Sequence, residues 1–206
     1  YMKIGRFMRE ILPEANLIDA VSDACFANAD FLTYPVAATN RAKAFENRDF
    51  WAYYCCDQSG GYLSNRFFNF PLLRTRVIGV QLYLNGAKGF LHWAYNYWLN
   101  LSTLEYIDPV LCTDGGGIMP SGDCYLIYPD KTAGGAFSSL REKAFADGLR
   151  DYRALKTLET AKGRAYVLKI LKKFGFDGFS QYPHDEKTFL RFSDLLLREI
   201  ERESIR

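Results

Sequence analysis

Apolar positions along the chain follow two rhythms. Near the start, Met2, Ile4, Phe7, Met8, Ile11 and Leu12 recur at helical spacing and predict an amphipathic helix. Four short β-type runs then stand out, at 17–21, 31–35, 50–56 and 89–95. Residues 37–47 (AATNRAKAFEN) predict a helix between the second and third runs. A second helical pattern starts near Pro71, carries Leu72, Leu73, Val77, Ile78, Val80, Leu82 and Leu84, and stops at Asn85-Gly86. Alternation of strand and helix implies parallel strands joined by right-handed crossovers.

After the fourth run comes a long irregular stretch, 99–135, containing Gly115-Gly116-Gly117 and Gly134-Gly135. Such a loop in a compact domain is usually functional or mobile. Within it, GDCYLIYP (122–129) predicts a short extra strand. Ser139 followed by Glu142 matches a capping box opening a helix striped by Leu140, Ala144, Phe145, Leu149, Tyr152, Leu155 and Leu158. Two more helices are predicted at 164–174 and 186–203.

Four parallel strands do not close a barrel; eight do, in about 250 residues. The chain opens with Tyr1 inside a helical pattern. The fold expected is therefore α/β, the C-terminal half of a (β/α)8 TIM-like barrel followed by C-terminal helices. An open doubly wound sheet is the competing architecture. Residues 1–160 would form the half-barrel and 161–206 a helical extension packed on the same domain. Two unpaired strand edges would lead it to pair with the remaining half of the barrel in a longer parent chain, or else to self-associate.

Composition narrows the function classes. A net charge of +2 with 24% charged residues gives no basic field for nucleic acid. No apolar run approaches the roughly 20 residues of a membrane span, and no signal peptide is visible, which leaves the parent's compartment open. The five cysteines include no C-x-x-C pair, and His92 and His184 lie far apart, so neither a metal nor a cofactor is expected. Cys55 and Cys56 are poor partners for each other. Cys112 and Cys124 flank a loop, where a disulfide is one reading and free, buried thiols the simpler one.

The 16% aromatic content is concentrated, for Trp and Tyr, between residues 50 and 128. In parallel barrels, ligands meet the C-terminal strand ends. Those ends read Tyr34-Pro35, then Tyr53-Tyr54-Cys55-Cys56-Asp57, then Trp93-Ala94-Tyr95-Asn96-Tyr97-Trp98. Flat rings beside Asn, Asp and Tyr suit a sugar, whose C–H face stacks while its hydroxyls hydrogen-bond. The plainer alternative is that these rings are core. Trp51 looks like core, and His92 should face away from Trp93 as a packed, hydrogen-bonded histidine. A pair drawn from Asp19, Asp23 and Asp57 is a further, weaker candidate for two-carboxylate hydrolysis.

The ordered series FWAYYCC, NRFFNFPLLRTRVIGVQLYLNGAKGFLHWAYNYW, GDCYLIYP and SSLREKAFADGLRDYRAL resembles the C-terminal half of glycoside hydrolase family 123, which includes bacterial β-N-acetylgalactosaminidases. The resemblance runs over about residues 51–152. It implies a (β/α)8 fold and retaining hydrolysis of β-linked N-acetylhexosamine, with N-acetylgalactosamine expected. In that scheme the substrate's own 2-acetamido oxygen attacks the anomeric carbon, served by an adjacent Asp-Glu pair. No such pair lies at a strand end here. Asp185-Glu186 sits before a late helix, where acidic residues favour the N-terminus. The fragment alone would then be inactive, and a non-catalytic carbohydrate-binding module is the alternative. By the same resemblance Tyr53 or Tyr54, with Tyr53 favoured, would bond the acetamido carbonyl. Trp93 would stack under the sugar, Asn96 and Asp57 would hold hydroxyls, and Trp98 would line the leaving-group side.

Overall fold

The computed structural model describes residues 1–21, 23–110 and 120–204. Four strands form one parallel sheet in sequence order: β1 (Ile18–Val21), β2 (Tyr34–Ala38), β3 (Trp51–Tyr53) and β4 (Gly89–Leu91). The registers Ala37 to Ala52 and Tyr53 to Leu91 keep the strand ends level. Before the sheet lies α1 (Met2–Ile11); between β3 and β4 lie α2 (Leu72–Arg76) and α3 (Ile78–Leu84). The 122–129 segment supplies β5 (Tyr128–Pro129), which pairs antiparallel with β6 (Ala136–Phe137). Helices α4 (Leu140–Lys162), α5 (Arg164–Lys173) and α6 (Glu186–Ser204) complete the chain.

Several local choices follow from the sequence as expected. Pro71 caps α2 and Gly86 takes φ +69° just past α3. The Ser139 hydroxyl accepts the Glu142 N–H at 3.0 Å. The return half of the box is missing, because the Glu142 carboxylate bonds the Ser138 hydroxyl instead. Asp185 Oδ1 accepts the Thr188 N–H at 2.8 Å, so the acidic pair at 185–186 opens α6.

Two expectations shift. The second strand begins three residues later than its β-type run. Phe31 and Leu32 are instead buried beneath α1, where Gly5 leaves room for the Phe31 ring and Arg9 holds the Phe31 carbonyl at 2.7 Å. The helix predicted at 37–47 shrinks to a 3₁₀ turn over Ala42–Phe45, because β2 runs on through Ala38. Tertiary burial of Val36, Ala37 and Ala38 outweighs local alanine propensity there.

The central strands β2 and β3 are packed on both faces. Toward the helices, Ala37, Ala52 and Tyr54 meet Ile78 and Leu82. On the other face, Val36, Ala38 and Tyr53 pack with Trp51, Cys55 and Leu91. Leu73, Val77 and Tyr83 join Leu155, Leu171, Phe189 and Phe192 in a second, all-helical core, in which α4 serves as the central helix against α2, α3, α5 and α6. The apolar stripe of α1 stays exposed at Ile4, Phe7, Met8 and Ile11. Among the described residues, no helix is long and apolar enough to cross a membrane.

Candidate functional site at the mouth of the third and fourth strands

At the C-terminal ends of β3 and β4, the strand ladder stops and side chains take over. Trp51 lies across Gly89, where any Cβ would overlap its ring, so β3 and β4 approach closely. Tyr53 sits opposite Leu91 on the same face. Two residues beyond Leu91, Trp93 emerges half-exposed at 41%, with Tyr97 packed edge-on at 5.1 Å.

The orientation of that indole is set by a residue far along the chain. Trp93 Nε1–H donates to Asp123 Oδ2 at 2.8 Å. His92 Nε2 lies 3.2 Å from Asp123 Oδ1, and the Ala94 N–H donates to His92 Nδ1 at 3.1 Å. Nδ1 is therefore the acceptor, and Nε2 carries the ring proton toward the carboxylate. Burial pushes the His92 pKa down to about 4, against the opposing pull of Asp123, so the imidazole is neutral at neutral pH. Neighbouring residues of an extended strand would point apart. Here β4 has ended at Leu91, and the turn through Ala94 lets His92 and Trp93 converge on one carboxylate.

Two buried arginines hold the backbone around Asp123. Arg66 donates to the Asp123 carbonyl at 2.5 Å and to the Ala94 carbonyl, tying the loop to the end of β4. Arg141, from the first turn of α4, donates to the carbonyls of Arg66, Gly122 and Tyr125 at 2.8, 2.5 and 2.7 Å. Burial lowers the Arg66 pKa to about 10, which leaves it charged at neutral pH. Gly122 takes φ +91°, and a Cβ there would lie 2.7 Å from the Phe68 ring and 2.8 Å from Arg141 Nη1. The Gly-Asp of GDCYLIYP, the arginine of NRFF and the arginine of SSLRE are thus parts of one cradle.

The structure distributes the sequence-predicted site residues unevenly. Tyr53 is buried at the end of β3 opposite Leu91, and Trp93 lies two residues past the end of β4. Asp57 is exposed in the turn after β3, with its Oδ1 3.9 Å from Cys56 Sγ. Asn96 is exposed and bridges to Tyr125 in a short antiparallel contact. Trp98 donates its indole N–H to the Ile127 carbonyl at 2.8 Å and packs with Ile107, Cys124 and Tyr125 in a small loop core.

Tyr34 and Tyr54 require correction. With β2 starting at Tyr34, that residue stands at the N-terminal end of its strand, stacked on Trp51 at 6.3 Å and away from the mouth. Tyr54 is 1% exposed on the helix side, its ring 4.9 Å from Phe90 and 5.5 Å from His92. Burial pushes its hydroxyl up to about 12. It is a core residue. Asp19 accepts the Tyr1 hydroxyl at 2.9 Å and Asp23 caps the 3₁₀ turn at Ala24–Phe26. Cys124 is buried, and the Cys112 half of the considered disulfide lies outside the described residues. Among the described residues, no group of three or more His, Cys, Asp or Glu side chains is arranged to hold a metal.

Sequence reasoning missed Asp123 and gave His92 no role toward Trp93. Periodicity carries no signal for either, since the contact spans 30 residues and depends on a chain turn. The Gly-Asp pair within an aromatic loop was the available clue.

Comparison with known proteins places this geometry in context. The model of the glycoside hydrolase 123 catalytic domain matches residues 1–158. Among solved structures, the chain is similar to a family 123 glycoside hydrolase from Clostridium perfringens, with a TM-score of 0.54 and 16% sequence identity. That match covers 91% of this chain but 34% of the other, so this chain spans about a third of its length. The likeness is one of fold: four parallel strands with helices, as in part of a barrel. No curated protein matches the chain.

Proposed function

The chain belongs to glycoside hydrolase family 123, and on that premise we propose that it supplies one wall of the sugar site of a hydrolase acting on β-linked N-acetylhexosamine, N-acetylgalactosamine being the expected sugar. The observation that carries this reading is the Trp93 ring, half-exposed at the mouth of β4 with its N–H already engaged by a buried carboxylate. A ring held in this way offers its π face to a pyranose C–H face without having to be ordered on binding. Tyr53 is the hydrogen-bonding partner for the acetamido carbonyl, and the exposed Asn96 and Asp57 are partners for hydroxyls. Trp98, fixed on the Ile127 carbonyl, borders the leaving-group side.

Hydrolysis by this route uses the sugar's acetamido oxygen as nucleophile and an adjacent Asp-Glu pair to orient it and to protonate the leaving oxygen. The sole adjacent Asp-Glu of this sequence, at 185–186, is engaged in capping α6. The acid pair is therefore assigned to the remainder of a barrel, and the chain alone binds without cleaving. The same fact favours a second reading, a carbohydrate-binding module with no hydrolytic role. Titration of tryptophan fluorescence with N-acetylgalactosamine tests the shared step. A saturable change that disappears in Trp93→Ala supports the sugar wall, whereas no change at millimolar sugar refutes it. Hydrolysis of a chromogenic β-N-acetylgalactosaminide by the chain joined to a complementary half-barrel then separates the two readings.

A further inference from the structure

We propose that Asp123 is a positioning residue of the sugar wall, aligning the Trp93 ring through its indole N–H without touching the sugar. The inference rests on the proposed sugar site and adds to it the element that sets ring orientation.

Asp123 is fully buried, so its carboxylate cannot reach a ligand at the mouth. Each of its oxygens receives one N–H: Oδ1 from His92 and Oδ2 from Trp93. The backbone that carries it is gripped on both sides, by Arg66 at the Asp123 carbonyl and by Arg141 at the Gly122 and Tyr125 carbonyls. A buried carboxylate with two donors and a clamped main chain has little freedom, and neither does the indole bonded to it. The Trp93 ring can then swing only by breaking a charge-assisted hydrogen bond in a desolvated setting. A sugar that stacks on a fixed ring loses less conformational entropy than one that must first order it.

Asparagine is an informative replacement. It offers one acceptor oxygen to two N–H donors, and its amide N–H₂ faces whichever donor is left over. His92 cannot accommodate it by switching tautomer without giving up the Ala94 N–H. Asp123→Asn should therefore release the Trp93 ring while the arginine bonds to main-chain carbonyls remain.

The test combines two readouts on this chain. The first is the ¹⁵N–¹H resonance of the Trp93 indole, assigned by its loss in Trp93→Phe. In the wild type it should be shifted downfield and exchange slowly with solvent, and in Asp123→Asn it should move upfield and exchange quickly. The second is the dissociation constant for N-acetylgalactosamine, expected to rise about tenfold in Asp123→Asn. In a Trp93→Phe background, which has no indole N–H to hold, Asp123→Asn should add no further loss, a non-additivity that a general structural role would not produce. A wild-type indole N–H that exchanges like a free indole overturns the proposal, and needs no variant to fold. So does a folded Asp123→Asn chain with unchanged sugar affinity. If the wild type binds no sugar, the sugar-wall reading fails, and the indole exchange contrast alone decides the positioning role.

Discussion

Gly79 of α3 and Gly148 of α4 meet backbone to backbone, so that a Cβ on Gly79 would overlap the Gly148 carbonyl and one on Gly148 would overlap the Arg76 carbonyl. The contact lets α4 lie directly on the α2–α3 pair and brings Arg141, at its first turn, to the Asp123 loop. Helix packing and site geometry are therefore linked through one close crossing. Gly148→Ala should destabilise the chain by about 3 kcal/mol, since neither backbone can retreat from the overlap. Gly135→Ala, where a Cβ meets open space, should stay within about 0.5 kcal/mol. Urea denaturation of the two variants checks the contrast.

Arg76 and Asp151 fix the same crossing through a two-pronged ion pair, Nε to Oδ2 at 2.8 Å and Nη2 to Oδ1 at 3.0 Å. The Arg76 guanidinium also approaches the Phe189 ring at 5.1 Å, which ties α6 into the arrangement. Asp151→Asn would leave a half-buried guanidinium short of its counter-charge and should cost about 3 kcal/mol. Arg6→Ala, which removes an exposed pair with Asp30, should leave the melting temperature close to that of the wild type. Thermal melts of both variants provide the comparison.

His92 gives stability a defined pH dependence. Its folded pKa is lowered by burial from 6.5 to about 4, so between those values the unfolded chain binds the extra proton. Stability should thus be complete above pH 6.5, fall as the pH drops, and level off for this group near pH 4. The loss amounts to about 3 kcal/mol at most. In His92→Gln, which keeps a donor for Asp123 and does not titrate, the decline between pH 6.5 and 4.5 should flatten. Denaturant midpoints across that interval measure it.

The periodic parts of the fold were open to sequence reasoning because each depends on local rules. Parallel strand order, the Pro71 start, the Ser139 cap and the late helices all follow from spacing and capping chemistry. Errors arose where a distant partner decided the outcome. Phe31 and Leu32 look like strand residues but are drawn under α1, which shifts β2 and moves Tyr34 to the wrong end of the sheet. At the site, parity breaks past the end of β4, since His92 and Trp93 converge on one carboxylate, whereas the opposite faces of Tyr53 and Tyr54 could be read from it. The Asp123 cradle could not, because it is assembled by Arg66 and Arg141 from segments 57 and 16 residues away from the carbonyls they hold.

The central claim is that a pyranose lies flat against Trp93 at the mouth of β3 and β4. Saturation-transfer NMR of N-acetylgalactosamine with this chain tests it most directly. Strong transfer to the protons of one pyranose face and to the acetamido methyl, abolished in Trp93→Ala, is the predicted result. Transfer spread evenly over all sugar protons, or a pattern unchanged in Trp93→Ala, would contradict it.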